Sequence, residues 1–364
     1  MAQRAARLVV SSQSDTCDFP PARGLRDFTQ PWLDLNGKSV MVTGGTGSFG
    51  KHFVKTVIEN YHPRRLIIFS RDELKQFEMQ QQFPMDQYKF MRYFIGDVRD
   101  RDRLDLAMRD VDYVIHAAAL KQVPTAEYNP FECIRTNVFG AENIVYAALR
   151  RNVRKVIALS TDKAANPVNL YGASKLASDK IFVAANNLSG ADGTTFGVVR
   201  YGNVVGSRGS VVPFFKKLAA DGAEALPITD SRMTRFWITL TQGVNFVLSS
   251  MEMSRGGEIF VPKIASSTIT DIANLISPTL SHKVVGVRPG EKLHETMISA
   301  DDSRWTVELE DRYVILASFA EAAREAYINR GARAVTEGFA YSSDTNPEQL
   351  DARGLQAMLA QAYA

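Results

Sequence analysis

The sequence predicts an α/β protein, a doubly wound and mostly parallel sheet with a smaller, irregular C-terminal substrate subdomain. Three observations carry that prediction. From residue 38 onward, short continuous apolar runs alternate with longer amphipathic stretches. The first run ends in glycines spaced GxxGxxG, at Gly44, Gly47 and Gly50. After about residue 200 the alternation breaks, and Pro213, Pro227, Pro262, Pro278 and Pro289 punctuate short pieces.

The elements follow in order. Strands are expected at Ser39–Thr43, Leu66–Phe69, Tyr93–Ile95, Val111–His116, Val156–Leu159 and Phe196–Val199. Helices are expected between them, over Gly47–Tyr61, Asp72–Phe83, Phe131–Arg150 and Leu170–Leu188, with Asn169 as an N-cap. Apolar runs without polar alternation are buried on both faces, so helices must cover both sides of the sheet. A Rossmann-type fold is the economical solution. Residues 1–36 hold Pro20, Pro21 and Pro31 without sustained periodicity and read as a flexible leader. Residues 37–200 form the nucleotide-binding domain. Residues 201–364 form mainly the substrate subdomain, with segments returning to the first.

Composition narrows the function. The 364 residues are 45% hydrophobic and 23% charged, ordinary globular usage. Forty-three basic residues face 40 acidic ones, for a net charge of +3, which does not fit a nucleic-acid binder but allows a basic pocket for an anion. Cys17 and Cys133 belong to no CxxC pair or Cys/His cluster, so no metal site is expected. So few thiols suit a reducing, cytoplasmic setting. The longest apolar stretches, such as Val111–Leu120, are about half of the ~20 residues a membrane span needs. Leu8-Val9-Val10 is too short for a secretory core.

The turn Thr43-Gly44-Gly45-Thr46-Gly47-Ser48-Phe49-Gly50 stands between a strand and a helix. Glycines there allow a tight turn and close backbone approach to a pyrophosphate, while the helix offers unpaired N–H groups. At the end of the second strand an acidic residue would bond the ribose of NAD. Ser70-Arg71 stands there instead, and a guanidinium and hydroxyl suit the 2′-phosphate of NADP. Asp72 next to it can cap the helix. Asp97 and Val98 follow the third strand, where a carboxylate can meet an adenine amino group. Ala117 and Ala118 follow the fourth, leaving room for a cofactor, and His116 reads as structural.

The fifth strand ends in Leu159-Ser160-Thr161-Asp162-Lys163, and Tyr171 and Lys175 follow as YxxxK. Residues i and i+4 share a helix face. An ammonium beside a phenol favours phenolate, so Tyr171 can take a hydroxyl proton while hydride leaves carbon. Thr161 supplies a hydroxyl donor. A plain dehydrogenase or epimerase needs no further acid and base, whereas elimination across C5 and C6 of a hexose does. Lys163 and Asp162 could fill those roles, or could be a salt-bridged loop pair.

Several strings are specific enough to carry a resemblance. Ser160–Lys175 (STDKAANPVNLYGASK), Thr43–Lys51 (TGGTGSFGK), His116–Pro130 (HAAALKQVPTAEYNP), Tyr201–Pro213 (YGNVVGSRGSVVP), Arg288–Glu295 (RPGEKLHE) and Phe339–Asp344 (FAYSSD) occur in order. From about residue 36 to its end, the chain closely resembles the inverting UDP-N-acetylglucosamine 4,6-dehydratases of pseudaminic acid biosynthesis, extended short-chain dehydrogenases. The resemblance implies that Tyr171 and Lys175 support oxidation at C4 by NADP. Lys163 takes the C5 proton, Asp162 assists loss of water from C6, and hydride returns to C6. C5 is reprotonated from the opposite face, giving a UDP-2-acetamido-2,6-dideoxy-β-L-arabino-hexos-4-ulose. It also implies that Lys121, Asn203, Val204, Arg208, Arg288 and Glu291 lie near the UDP-sugar, with Arg235 a further candidate. Asn137 resembles a residue that supports the Lys175 region. Relatives that retain C5 carry Glu where Lys163 stands, and some membrane-anchored relatives carry Met where Tyr171 stands. A homo-oligomer is expected. The rival readings are a UDP-N-acetylhexosamine 4-epimerase and a non-catalytic NADP-binding scaffold.

Overall fold

The computed structural model describes residues 25–29, 31–190, 193–207, 209–317 and 321–363. Arg208, Cys17 and the first 24 residues of the expected leader lie outside them.

The first half alternates strand and helix. It runs β1 (Ser39–Thr43), α1 (Ser48–Asn60), β2 (Arg65–Ser70), α2 (Glu73–Gln82), β3 (Met91–Ile95), α3 (Arg101–Ala107) and β4 (Tyr113–His116). Two short helices, α4 (Val123–Tyr128) and α5 (Pro130–Ile134), lead through a π-helical turn at Arg135–Phe139 into α6 (Gly140–Arg150). Then come β5 (Lys155–Thr161), α7 (Leu170–Ala185) and β6 (Thr195–Tyr201). Every residue of β1 and β4 is buried, as expected of strands covered on both faces.

The second half has shorter pieces. They are β7 (Asn203–Val204), α8 (Val211–Ala220), β8 (Ala225–Ile228), β9 (Thr234–Ile238), α9 (Leu240–Met253), β10 (Ile259–Pro262), β11 (Ser266–Thr268) and α10 (Ile269–Ile276). The chain ends with β12 (Ser281–Val284), β13 (Thr296–Ile298), β14 (Thr306–Glu308), β15 (Arg312–Ile315), α11 (Glu321–Ile328), β16 (Arg333–Ala334), β17 (Tyr341–Ser342) and α12 (Ala352–Tyr363).

The main sheet has ten strands in the order β16-β14-β15-β10-β6-β5-β4-β1-β2-β3. From β3 to β10 all pairings are parallel, and β15, β14 and β16 add antiparallel edge strands. The order 3-2-1-4-5-6 is that of a dinucleotide-binding sheet, whose ligands sit beyond the strand C-termini at the switch between β1 and β4. A separate apolar cluster, including Phe215, Trp237, Ile272 and Met358, holds α8, α10 and α12 together beside the small sheets β7-β9-β11 and β8-β12. Among the described residues, no helix is long and apolar enough to cross a membrane.

The expectation of a flexible leader over residues 1–36 does not extend to its last part. Phe28, Leu33 and Leu35 are buried, and Phe28 packs edge-on against Phe246 of α9 at 5.0 Å. Arg26 clasps Glu348 with two bonds of 2.6 Å. Apolar side chains spaced too irregularly to show a period still find a groove on the core.

Candidate functional site

The turn after β1 is shaped for close approach. Gly44 has φ +65°, and a Cβ there would lie 2.8 Å from the backbone of Ala118. A Cβ on Gly50 would lie 2.1 Å from the carbonyl oxygen of Gly45. The first contact brings β1 against Ala117 and Ala118 after β4; the second seats α1 on its own turn. Gly47 caps α1 without a side-chain hydrogen bond, and the N-terminus of that helix presents the positive end of its dipole beside the glycine turn. Thr46 is buried within the turn. Thr43 Oγ1 meets His116 Nδ1 at 2.8 Å and joins β1 to β4. Burial, with Lys175 adding to it, pulls the His116 imidazole down to about 3, so it is neutral and structural.

At the end of β2, Arg71 leaves 55% of its side chain open and lies 3.6 Å from Asp97. Asp97 also accepts from Arg99 at 2.7 Å. Ser70 is buried, and its Oγ accepts from Gln76 at 3.2 Å, leaving its own hydrogen to donate. Asp72 caps α2 by accepting from the Lys75 N–H at 3.0 Å. Val98 is buried, and its carbonyl accepts from Asn143 of α6 at 3.1 Å.

The polar centre forms where β5 ends. Thr161 donates to Asp162 Oδ1 at 2.9 Å. Lys163 donates to the same oxygen at 3.0 Å, lies 3.1 Å from Glu295 Oε1, and reaches Asn203 Oδ1 at 3.4 Å. Burial disfavours its ammonium, but Asp162 and Glu295 outweigh burial, and the net shift is upward. Asn169 caps α7 through the Gly172 N–H at 2.7 Å and so aims Tyr171 back at this turn. Burial pushes the Tyr171 phenol up to about 12, opposed by Lys163 and by a hydrogen bond with Thr161. Lys175, one turn beyond, is fully enclosed; burial pulls its ammonium down and Asp179 opposes the shift.

The loop Arg288–Glu295 clasps this turn from outside. Asn169 donates to Gly290 O at 2.7 Å, and Lys292 donates to Ala165 O at 2.6 Å. Arg288 is exposed and sits 3.8 Å from Glu291. Val204 pairs with Ile238 beside Asn203. Burial lowers the Lys121 ammonium's pKa. Arg235 stands on β9. It is buried, with its donors given to the carbonyls of Thr234, Leu293 and Lys292 at 2.7 to 3.1 Å, so it braces the loop.

Three charged residues at the centre had no role in the sequence reading. Glu295 ends the RPGEKLHE string, but position alone gave it no partner. Asp179 stands four residues after Lys175, on the same face of α7, and accepts from Ser160 Oγ at 2.8 Å and Arg200 at 3.2 Å. Arg200 also donates to Met297 O at 2.8 Å. The i+4 spacing of Asp179 was a usable signal; Arg200 looked like any residue in an apolar strand.

The chain is similar to known proteins over most of its length. The family described as polysaccharide biosynthesis protein covers residues 40–317. A UDP-N-acetylglucosamine 4,6-dehydratase (inverting) of Campylobacter jejuni subsp. jejuni serotype O:23/36 is 61% identical over 319 residues, 86% of this chain and 95% of that protein. A UDP-glucose 4-epimerase of Rickettsia canadensis is 45% identical over 285 residues, 76% of this chain and 82% of that protein. The X-ray structure of Pen from Bacillus thuringiensis superposes with a TM-score of 0.82 at 33% identity, covering 91% of this chain and 99% of that one. The dTDP-glucose 4,6-dehydratase DesIV from Streptomyces venezuelae, solved with NAD and DAU bound, shares the fold at a TM-score of 0.60 and 24% identity, over 70% of this chain and 86% of that one. The chain belongs to the polysaccharide biosynthesis protein family, in the extended short-chain dehydrogenase group that includes the inverting UDP-N-acetylglucosamine 4,6-dehydratases.

Proposed function

We propose that this chain is an NADP-dependent, inverting UDP-N-acetylglucosamine 4,6-dehydratase. The observation that carries the reading is the convergence of Lys163 and Asp162 with Tyr171 and Thr161 at the end of β5. A salt-bridged loop pair facing solvent would not bury Asp162 completely or bring Lys163 within electrostatic reach of the Tyr171 phenol.

The glycine turn and the N-terminus of α1 fit a dinucleotide pyrophosphate, and Arg71 with Ser70 suits a 2′-phosphate. When bound, a nicotinamide cofactor supplies an acceptor for the C4 hydride and a donor for C6. The chain supplies the proton chemistry. Tyr171 takes the C4 hydroxyl proton, Lys163 takes the C5 proton once C4 is a ketone, and Asp162 gives a proton to the departing C6 hydroxyl. Arg288 and Lys121, near the mouth of the site, suit a nucleoside diphosphate. Within this reading the product is a pseudaminic acid precursor, and the enzyme works in the cytoplasm as a homo-oligomer.

The 45% identical relative named as a 4-epimerase makes that reaction the second reading. Purified protein with NADP and UDP-N-acetylglucosamine in deuterated water separates the two. A dehydratase gives a product lighter by one water, with deuterium at C5 and the inverted configuration by NMR. A product of unchanged mass with no label at C5 would overturn the proposal.

A further inference from the structure

A second enclosed carboxylate faces Lys163 besides Asp162. Glu295 is 1% exposed and stands just before β13. Its backbone is held on both sides: its N–H donates to Ser343 Oγ at 3.0 Å, and its carbonyl accepts from the Ser343 N–H at 2.8 Å. Its Oε1 lies 3.1 Å from Lys163 Nζ and 3.8 Å from Arg235 Nε. Its Oε2 and Asp162 Oδ2 are both buried and take no hydrogen bond among the described residues.

Asp162 holds Nζ from the neighbouring position on the same turn, and Asn203 on β7 accepts from it at 3.4 Å. Glu295 comes from a different element, more than a hundred residues away. Arg235 is fastened to three carbonyls, so it balances the second carboxylate without displacing Lys163.

We propose that Glu295 is the positioning residue for Lys163, anchoring Nζ from a second element and stabilising the ammonium that forms when C5 loses its proton. The inference rests on the dehydratase reading. In that step the C5–H bond breaks, the proton passes to the Nζ lone pair, and the C5 electron pair moves into the C4 ketone as an enolate. A nicotinamide held at the glycine turn would supply the prior oxidation that makes the ketone. An ammonium forming between two carboxylates costs less than one forming alone, so Glu295 makes Lys163 a stronger base.

The groups facing Nζ are Asp162 on its own turn, Glu295, Arg235 on β9, Tyr171 on α7, and Lys292 in the clasping loop. Removing the Glu295 charge weakens the hold on the ammonium, so Lys163 loses its proton at lower pH.

The test is the pH dependence of turnover, from about pH 6 to about pH 10, for the wild type, Glu295→Gln and Glu295→Asp with UDP-N-acetylglucosamine and NADP. In Glu295→Gln, KM is expected to stay within about threefold. The best kcat should fall about tenfold or more, and the rising limb should move to lower pH by about one unit. Glu295→Asp withdraws the carboxylate by one methylene, so its limb should fall between the other two; it serves alone if Glu295→Gln does not fold. A limb at the wild-type position in the folded variants, whatever the loss of rate, overturns the proposal. A wild type that releases no water from the substrate overturns the dehydratase reading instead.

Discussion

Asn137 donates from Nδ2 to Ser174 Oγ at 2.9 Å, so a π-helical turn is tied to the helix that carries Tyr171 and Lys175. The same side chain satisfies both backbone groups of Leu120, accepting from its N–H at 2.9 Å and donating to its carbonyl at 3.0 Å. Leu120 precedes Lys121, and Ser174 precedes Lys175. One buried amide thus sets two ammonium-bearing positions, and π-turns are frequent where such precision is needed.

Asn137→Ala should leave the Leu120 groups unpaired and cost about 1–3 kcal/mol of stability. Urea unfolding measures the loss, and turnover should fall with it. Full stability in the variant would mean that Leu120 finds other partners.

Tyr171→Phe removes the hydroxyl and keeps the ring. Turnover should drop about 10²- to 10⁴-fold, the usual range for a lost general acid–base group, with NADP affinity nearly unchanged. A variant that dehydrates at close to the wild-type rate would show that another group takes the C4 proton.

His116 predicts a pH effect on stability. Its folded-state value of about 3 lies below its ordinary 6.5, because burial disfavours the charged form. Its contribution is therefore present above the unfolded value and is lost as pH falls from 6.5 toward 3. The slope from this one group approaches about 1.4 kcal/mol per pH unit between those limits. Comparing denaturant midpoints of wild type and His116→Asn over that window should show a shallower slope for the variant. Parallel slopes would contradict the assignment of a buried neutral imidazole.

Arg71→Ala should weaken NADP binding by about 10- to 100-fold and leave NAD binding nearly unaltered, in line with one charge-assisted contact. Isothermal titration with each cofactor decides it. An equal loss for both would remove Arg71 from 2′-phosphate recognition.

Much of this was legible in the chain because the signals were local. Continuous apolar runs gave the parallel sheet, GxxGxxG and Ser70-Arg71 each sit within a few residues of a strand end, and YxxxK opens the helix that follows β5. Asn169 read as a cap, and the structure has it capping α7. Sequence by itself therefore determined the fold class and which residue types stand at the mouth of the sheet, since both depend on spacing along one segment. Only the tertiary structure decided how those types are used. It brought Glu295 to Lys163, turned Arg235 inward onto carbonyls, and buried Phe28, Leu33 and Leu35, with Phe28 against Phe246 of α9. Each of those outcomes depends on contacts between segments far apart in the chain, where distance and desolvation, rather than spacing, set the interaction.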